Sequence, residues 1–235
     1  MRFSNGSWGI FWTFFEPFFG IFFFIGIRIL MGSSNENYDF IVFIALGFSS
    51  FFLFKNILNK SLGAFNANKN LFIYRQIKPI DTIIARTLVE IFISIIIIMI
   101  LVCLGVYFHY DLTIQNFPMV ILTYCLLIIF AFSLGLCFAV LNIYYDRTKN
   151  IVNILLRPLI FISGLFFTVE SLPYQLQTMV LYNPLIHFIE MLHGYFFYTL
   201  TDIYVNYQYM TLWILCPLYL GLWLYTKLEK RIISS

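Results

Sequence analysis

Two charged side chains, Glu16 and Arg157, fall inside long apolar runs, where an ion is costly and is normally paired or turned toward a cavity. Each lies six or seven residues into its run, on the order of 10 Å from one membrane face. A carboxylate and a guanidinium at one depth suit a pair. They equally suit an entrance for a phosphate-linked lipid, because the planar fork of Arg donates two hydrogen bonds to phosphate oxygens. A purely structural ion pair near the interface explains the same two residues. Arg86 and Glu90 are four apart and share a helix face, which predicts a local pair. His187, Glu190 and His193 recur every third residue, stepping round a helix by about 60° each time. A metal site is conceivable there, but the spacing is not H-E-x-x-H, and polar residues that satisfy the ends of a broken helix account for it. No metal is assigned.

A polar stretch, Asn66 to Asp81, separates two oily segments and holds Lys69, Arg75 and Lys78 beside Leu71, Phe72, Ile73 and Tyr74. A bare connection between two membrane helices needs only a few residues. This longer one is expected to fold into a short helix at the membrane surface and to act as a lever that another protein pushes. An interfacial loop held by anionic lipid headgroups is the plainer alternative.

The elements that position these groups are membrane helices. Of 235 residues, 61% are hydrophobic and 11% charged, against about 25% charged in soluble domains, and the mean hydropathy is +0.88. The chain reads as an all-α integral membrane protein, a single domain over 1–235, with no soluble appendage large enough for an enzyme. It has no GxxxxGK[ST] loop, so ATP and Mg, if used, are bound by another chain, and no cofactor is assigned to this one. Cys103, Cys125, Cys137 and Cys216 lie in apolar runs without CxxC spacing and read as packing residues. The first apolar run is too long for a cleavable signal peptide. No nucleic-acid partner is expected.

About twenty helical residues cover a hydrocarbon core of about 30 Å. Six spans are expected, at 9–31 with a kink at Pro17, 40–58, 82–107, 118–143, 151–168 with Pro158 and Gly164 inside, and 211–226. The polar lever occupies 66–81, and Asp81 is the expected N-cap of the third span. The segment 172–198 is too interrupted for a span and too apolar for a free loop. Its two half-length helices, 176–181 and 185–197, break at Asn183-Pro184. Such pieces occur in membranes where their backbone is buried in protein or lines a cavity, so this segment is expected to be re-entrant.

Charge placement gives the orientation. Arg2, Lys55, Lys60, Lys69, Arg75, Lys78, Arg86, Arg147, Lys149, Arg157, Lys227, Lys230 and Arg231 fall on one side. Glu36, Asp39, Asp111, Glu170 and Asp202 fall on the other, with Arg28 the single exception. Both termini and the lever are therefore expected in the cytoplasm, with the broken-helix segment facing out.

Four ordered motifs over nearly the whole chain resemble one family. Leu71-Phe72-Ile73-Tyr74-Arg75-Gln76-Ile77-Lys78-Pro79-Ile80-Asp81, with Ala85-Arg86 and Glu90, resembles the cytoplasmic loop of ABC-2-type permeases that export capsular polysaccharide in Gram-negative bacteria. Gly9-Ile10-Phe11-Trp12 with Glu16-Pro17 is similar to that family's first-helix pattern. Ser163-Gly164-Leu165-Phe166-Phe167 with Leu172-Pro173 resembles the end of its fifth helix, and Tyr182-Asn183-Pro184-Leu185-Ile186-His187 with Glu190 its re-entrant segment. The sequence departs from the pattern twice. Family members usually carry a further cytoplasmic stretch with an amphipathic interface helix ahead of the Trp and Glu-Pro region, whereas here Met1 falls almost at the first span. The family also commonly has an Arg shortly after the re-entrant Glu, where this chain has His193.

The resemblance implies a multi-pass protein of the bacterial inner membrane, a homodimer bound to two copies of a cytoplasmic ATPase subunit. It implies that a lipid-linked polysaccharide moves outward and that periplasmic and outer-membrane export proteins stand in line. On that footing Leu71, Phe72, Tyr74, Arg75, Lys78 and Asp81 are the expected ATPase-coupling residues, with an aromatic knob flanked by cations. Trp12, Phe15, Glu16, Arg157 and Phe166 are the expected substrate path, since aromatic faces offer a sugar polymer apolar stacking without strong hydrogen bonds. Asn183, Pro184, His187 and Glu190 mark the re-entrant segment. Other cargoes in the same fold are O-antigen, teichoic acid or a small lipophilic molecule. A polyprenyl-linked membrane transferase is a further alternative, but the outer face offers it no recognisable acid–base constellation. If Glu16 and Arg157 pair, each single reversal abolishes export and the double reversal, Glu16→Arg with Arg157→Glu, restores it. An export assay showing no rescue would refute the pair.

Overall fold

The computed structural model of the chain describes residues 15, 18–26, 39–73, 76–145 and 147–234, with the backbone alone for Leu71, Ile73, Leu228 and 230–234. Every regular element among the described residues is helical. In chain order these are α1 (18–26), α2 (Phe40–Leu62), α3 (Ala64–Ala67), a 3-10 turn at Lys69–Ile73, α4 (Pro79–Tyr107), α5 (Phe117–Tyr144) and α6 (Thr148–Ile162). A 3-10 turn at Val169–Ser171 follows, then α7 (Tyr174–Val180), α8 (Pro184–Phe196) and α9 (Tyr207–Ser234). Among the described residues four segments are long and apolar enough to cross a membrane: α2, α4, α5 and Tyr207–Lys227 of α9.

α2 is the central element, with fifteen of its twenty-three residues buried. It packs against α5, and α9 covers the far side of α5. α4 is peripheral and presents Leu88, Phe92, Met99 and Val106 outward, an apolar face suited to lipid. The approach of α2 to α5 depends on small residues. A Cβ at Gly135 would lie 2.8 Å from Ser61 Oγ and 2.9 Å from Ser61 Cβ. Lipid tails are as apolar as the side chains, so close backbone approach and polar links hold such helices together. The polar links here are Tyr124 with Ser49 and Ser50, both at 3.2 Å, and Asn142 Nδ2 donating to Leu62 O at 3.0 Å.

α8 is buried on nearly all sides, in eleven of its thirteen residues. Its Phe188 ring stacks on Phe130 at 4.9 Å, and Phe130 stacks on Phe54 at 5.3 Å. Its His193 ring stacks on Phe43 at 3.8 Å. Phe54 lies eleven residues beyond Phe43 on α2, so these contacts reach about 16 Å along the bundle.

Several expectations change. The stretch 151–168 is not one helix. α6 ends at Ile162, where Ser163 caps it and Gly164 takes a left-handed φ of +77°, the conformation that commonly ends a helix. Its fifteen residues span about 22 Å, short of a hydrocarbon core. Among the described residues the lever at 66–81 is not one surface helix: it holds the end of α3, a 3-10 turn at Lys69–Ile73, and, beyond 74–75, which are not described, an extended Lys78 that leads into α4. Asp81 is not the N-cap of α4. Lys78 holds that position, and Asp81, three residues on, accepts the Lys78 backbone N–H at 2.9 Å. Pro79 explains the earlier start, because its fixed φ and missing N–H suit a first helical turn. Arg86 and Glu90 do not pair with each other. Arg86 Nη1 donates to Lys60 O at 2.6 Å, and buried Glu90 faces Asn56 and Lys60.

Gly135→Ala is expected to lower stability by about 1–3 kcal/mol through overpacking, read as a lower thermal midpoint in detergent. Ser61→Gly in the same chain should recover most of the loss.

Candidate functional site

The charged residues divide the bundle into two ends. Asp39 Oδ2 accepts the Asp111 N–H at 2.9 Å, and Asp202 Cβ lies near Gly194, so Asp39, Asp111 and Asp202 gather at one end, which holds no described Lys or Arg. Lys60, Arg86 and the 3-10 turn at Lys69–Ile73 gather at the other.

At the basic end the C-terminal carbonyls of α2 are taken by side chains of other helices, Lys60 O by Arg86 and Leu62 O by Asn142. Asn142 Oδ1 also accepts the Lys149 N–H at 3.3 Å, which joins the starts and stops of α2, α5 and α6. Phe72 is buried among Phe65, Ile83, Val140 and Tyr225. Its ring is therefore an anchor in a cluster shared with α4, α5 and α9. Lys78 and Asp81 are exposed and available to a partner. Tyr74 and Arg75, and the side chain of Leu71, lie outside the described residues, as do Trp12 and Glu16. Arg157 projects from the exposed face of α6 beside Ile154, Leu155 and Phe161.

Phe15 is partly exposed and its ring, ahead of α1, begins a ladder that continues along one face of α1. It stacks on Phe19 at 5.7 Å, and Phe19 stacks on Phe23 at 6.1 Å. Phe166 does not share that face. It packs inward against Phe24 at 4.3 Å and Phe48 at 5.5 Å, so the two expected path residues separate into an exposed ladder and an internal cluster.

The re-entrant candidate is held at both ends. Asn183 Oδ1 accepts the Leu185 N–H at 3.0 Å, the usual work of an N-cap, with Pro184 at the first helical position. The same side chain donates from Nδ2 to Ile162 O at 3.2 Å and to Ser163 Oγ at 2.9 Å. One amide thus closes the start of α8 and the stop of α6. The other end of α8 is met by the α4–α5 loop: Gln115 N–H donates to Phe196 O at 3.1 Å and Asn116 N–H to Tyr195 O at 3.0 Å. With its amide nitrogen turned toward acceptors, Gln115 also reaches Phe197 O at 3.0 Å and Gly194 O at 2.9 Å.

His187, Glu190 and His193 do not converge. His187 Nε2 donates to Leu181 O at 3.0 Å while Nδ1 accepts the Asn206 N–H at 3.3 Å. Glu190 Oε1 accepts the Val169 N–H at 3.2 Å. His193 Nε2 donates to Phe43 O at 3.2 Å. Glu190 Oε2 and His193 Nδ1 are buried without a hydrogen-bond partner among the described residues. These three side chains tie α8 to its neighbours, and no group of His, Cys, Asp or Glu among the described residues could hold a metal ion.

One polar constellation has no local sequence signature. Tyr195 OH donates to Asp202 Oδ2 at 3.0 Å, Tyr207 OH donates to the same oxygen, and the two phenols lie 2.9 Å apart. The Tyr207 and Tyr195 hydrogen bonds hold the Asp202 carboxyl below the usual carboxylate range, against an opposing effect of partial burial. Asp111 is likewise lowered, by its bonds from the Thr113 backbone and hydroxyl.

Asn183→Ala removes both halves of the α6–α8 clasp and is expected to cost about 1–3 kcal/mol, measured by thermal unfolding in detergent. Asn183→Asp keeps the acceptor for Leu185 but not the donor for Ile162, and should fall between Ala and the parent.

A family model described as ABC-2 type transporter matches residues 1–197. The chain is 36% identical over its full length to the polysialic acid transport protein KpsM of Escherichia coli, covering 91% of that protein. It is 32% identical over 83% of its length to the capsule polysaccharide export inner-membrane protein BexB of Haemophilus influenzae, covering 74% of it. It is 28% identical over 98% of its length to the capsule polysaccharide export inner-membrane protein CtrC of a Neisseria meningitidis serogroup A strain, covering 88% of it. A helical bundle with several apolar spans, matched over most of its length by one family model, is assigned on that ground: the chain belongs to the ABC-2 type transporter family.

Proposed function

We propose that the chain is the inner-membrane permease subunit of an ATP-driven exporter that moves lipid-linked capsular polysaccharide from cytoplasm to periplasm. The observation that carries this reading is the alignment, over most of the chain, with relatives named for polysialic acid transport and capsule polysaccharide export. In it the chain is a transport permease, and a separate cytoplasmic subunit hydrolyses ATP. The permease works as a homodimer with two ATPase copies, in line with periplasmic and outer-membrane export proteins, and both its termini are cytoplasmic.

Three features support the arrangement. Arg157 stands on an exposed, otherwise apolar face of α6. A guanidinium is costly in lipid, which favours a second copy, or the aqueous path between copies, as the surroundings of that face. The exposed ladder of Phe15, Phe19 and Phe23 offers a polymer stacking surfaces without strong hydrogen bonds. Buried Phe72 joins the lever to α4, α5 and α9, so a push on Lys78 or Asp81 is carried into the bundle.

The test is co-purification with the candidate ATPase, followed by ATP turnover and export. Alanine at Tyr74, Arg75 or Lys78 should weaken ATPase capture. Phe72→Ala, a core truncation costing about 3 kcal/mol, should leave capture intact while export falls more than ATP turnover. Phe72→Leu should restore most of the export. Export that proceeds without any ATPase would overturn the reading.

A further inference from the structure

At the acidic end, the turn after α7 and the residues leading into α9 border an open cleft of about 880 Å³. Tyr182, Tyr204, Asn206, Tyr207, Gln208 and Tyr209 form much of its wall. Four phenol rings and two carboxamides therefore meet in one concavity. No Lys or Arg occurs anywhere from 158 to 226. The carboxylate at the margin, Asp202, is already engaged by Tyr195 and Tyr207.

The cleft is tied to the elements beneath it. Asn206 N–H donates to His187 Nδ1 on α8 at 3.3 Å, and Asn206 Oδ1 accepts the Tyr209 N–H at 3.0 Å. Tyr209 OH donates to Tyr182 O at 2.9 Å. These bonds fix the walls and leave other polar groups uncommitted: the Asn206 amide nitrogen, the Gln208 amide, and the Tyr182 and Tyr204 hydroxyls have no hydrogen bond to another described residue.

Tyrosines are common at membrane–water interfaces, where their amphipathic rings sit at headgroup level. A shared concavity with two carboxamides, no Lys or Arg, and one imidazole, His187, whose two ring nitrogens are already taken by Leu181 O and the Asn206 N–H, has a different chemistry. Aromatic faces take the C–H faces of sugar rings, and phenols and amides exchange hydrogen bonds with hydroxyl and acetamido groups. A phosphate or carboxylate finds no cation here. We propose that this cleft is a carbohydrate-binding site for a neutral oligosaccharide segment. The inference rests on the transport reading for the source of the sugar, the cargo emerging on this side, but not for the chemistry of the site.

The probe is chitohexaose, a neutral hexasaccharide, added to the full chain in nanodiscs and followed by saturation-transfer NMR. Quenching of Trp213, whose ring is 6.1 Å from that of Tyr209, gives a second readout. Binding should be seen, and Tyr182→Ala and Gln208→Ala should each weaken it about fivefold, the scale of one lost hydrogen bond. Both positions are exposed, so the variants should fold, and parental thermal midpoints check this. Tyr174→Ala is the control: Tyr174 is 78% exposed, as Tyr182 is 79%, but lies outside the cleft and should leave binding unchanged. An oligomer of sialic acid of equal length should bind at least fivefold more weakly, a difference of about 1 kcal/mol. Absent saturation transfer, an equal loss in Tyr174→Ala, or equal binding of the anionic oligomer would each overturn the site. Loss of the site with ATPase-coupled export intact leaves the transport reading standing; sugar binding without ATPase dependence of export removes that reading and keeps the site.

Discussion

A helix that stops inside a membrane bundle exposes up to four N–H and four C=O groups, and hydrocarbon supplies no partner for any of them. The rest of this structure depends on how that demand is met at α6 and α8, neither of which is long enough to reach water at both ends by itself. Asn183 answers it twice, accepting from the first turn of α8 and donating to the last carbonyl of α6. The loop of Gln115 and Asn116 answers it at the far end of α8. Each such group left unpaired would cost about 1–3 kcal/mol, a large fraction of the net stability of a small domain.

The same logic runs through the basic end. α2 stops at Leu62, and two of its last carbonyls are claimed by Arg86 of α4 and Asn142 of α5. Helix stops thus become the joints between helices. Past Gly63 the chain stays in the bundle through buried Ala64 and Phe65, and Phe72 fastens the stretch beyond them into the same cluster. Its exposed cations are therefore only a short distance from a ring packed against three long helices.

Much of this was legible from the sequence. The long apolar runs of α2, α4 and α5 show in composition alone, and Asn183-Pro184 announces a helix start because an N-cap followed by Pro at the first helical position is a local signal. What was not legible is what depends on a neighbour. The four-residue spacing of Arg86 and Glu90 fits a pair on one helix, but α2 lies alongside and offers Lys60 O, Asn56 and Lys60 instead. Asp81 looked like a cap because it opens an apolar run, yet Pro79 two residues earlier had already set the helical turn. Phe72 read as part of a surface motif because a ring beside cations does not say which way it points. The Tyr195–Asp202–Tyr207 group joins positions 5 to 12 residues apart across a loop, a spacing with no helical or strand period to give it away.

Both joints constrain how α8 can move during transport. A shift of α8 alone would break its bonds to 115–116, to Ile162 and Ser163, and from His193 to Phe43. A shift that carries those segments with it breaks far fewer. The left-handed Gly164, just past the stop of α6, lies where the chain already departs from helix and can absorb a rotation without opening a backbone pair. Two buried atoms of α8, Glu190 Oε2 near its middle and His193 Nδ1 in its last turn, remain without partners among the described residues. The backbone groups at both ends of this helix are paired with its neighbours, and the physical expectation is an element that moves together with the segments that cap it, not one that unwinds.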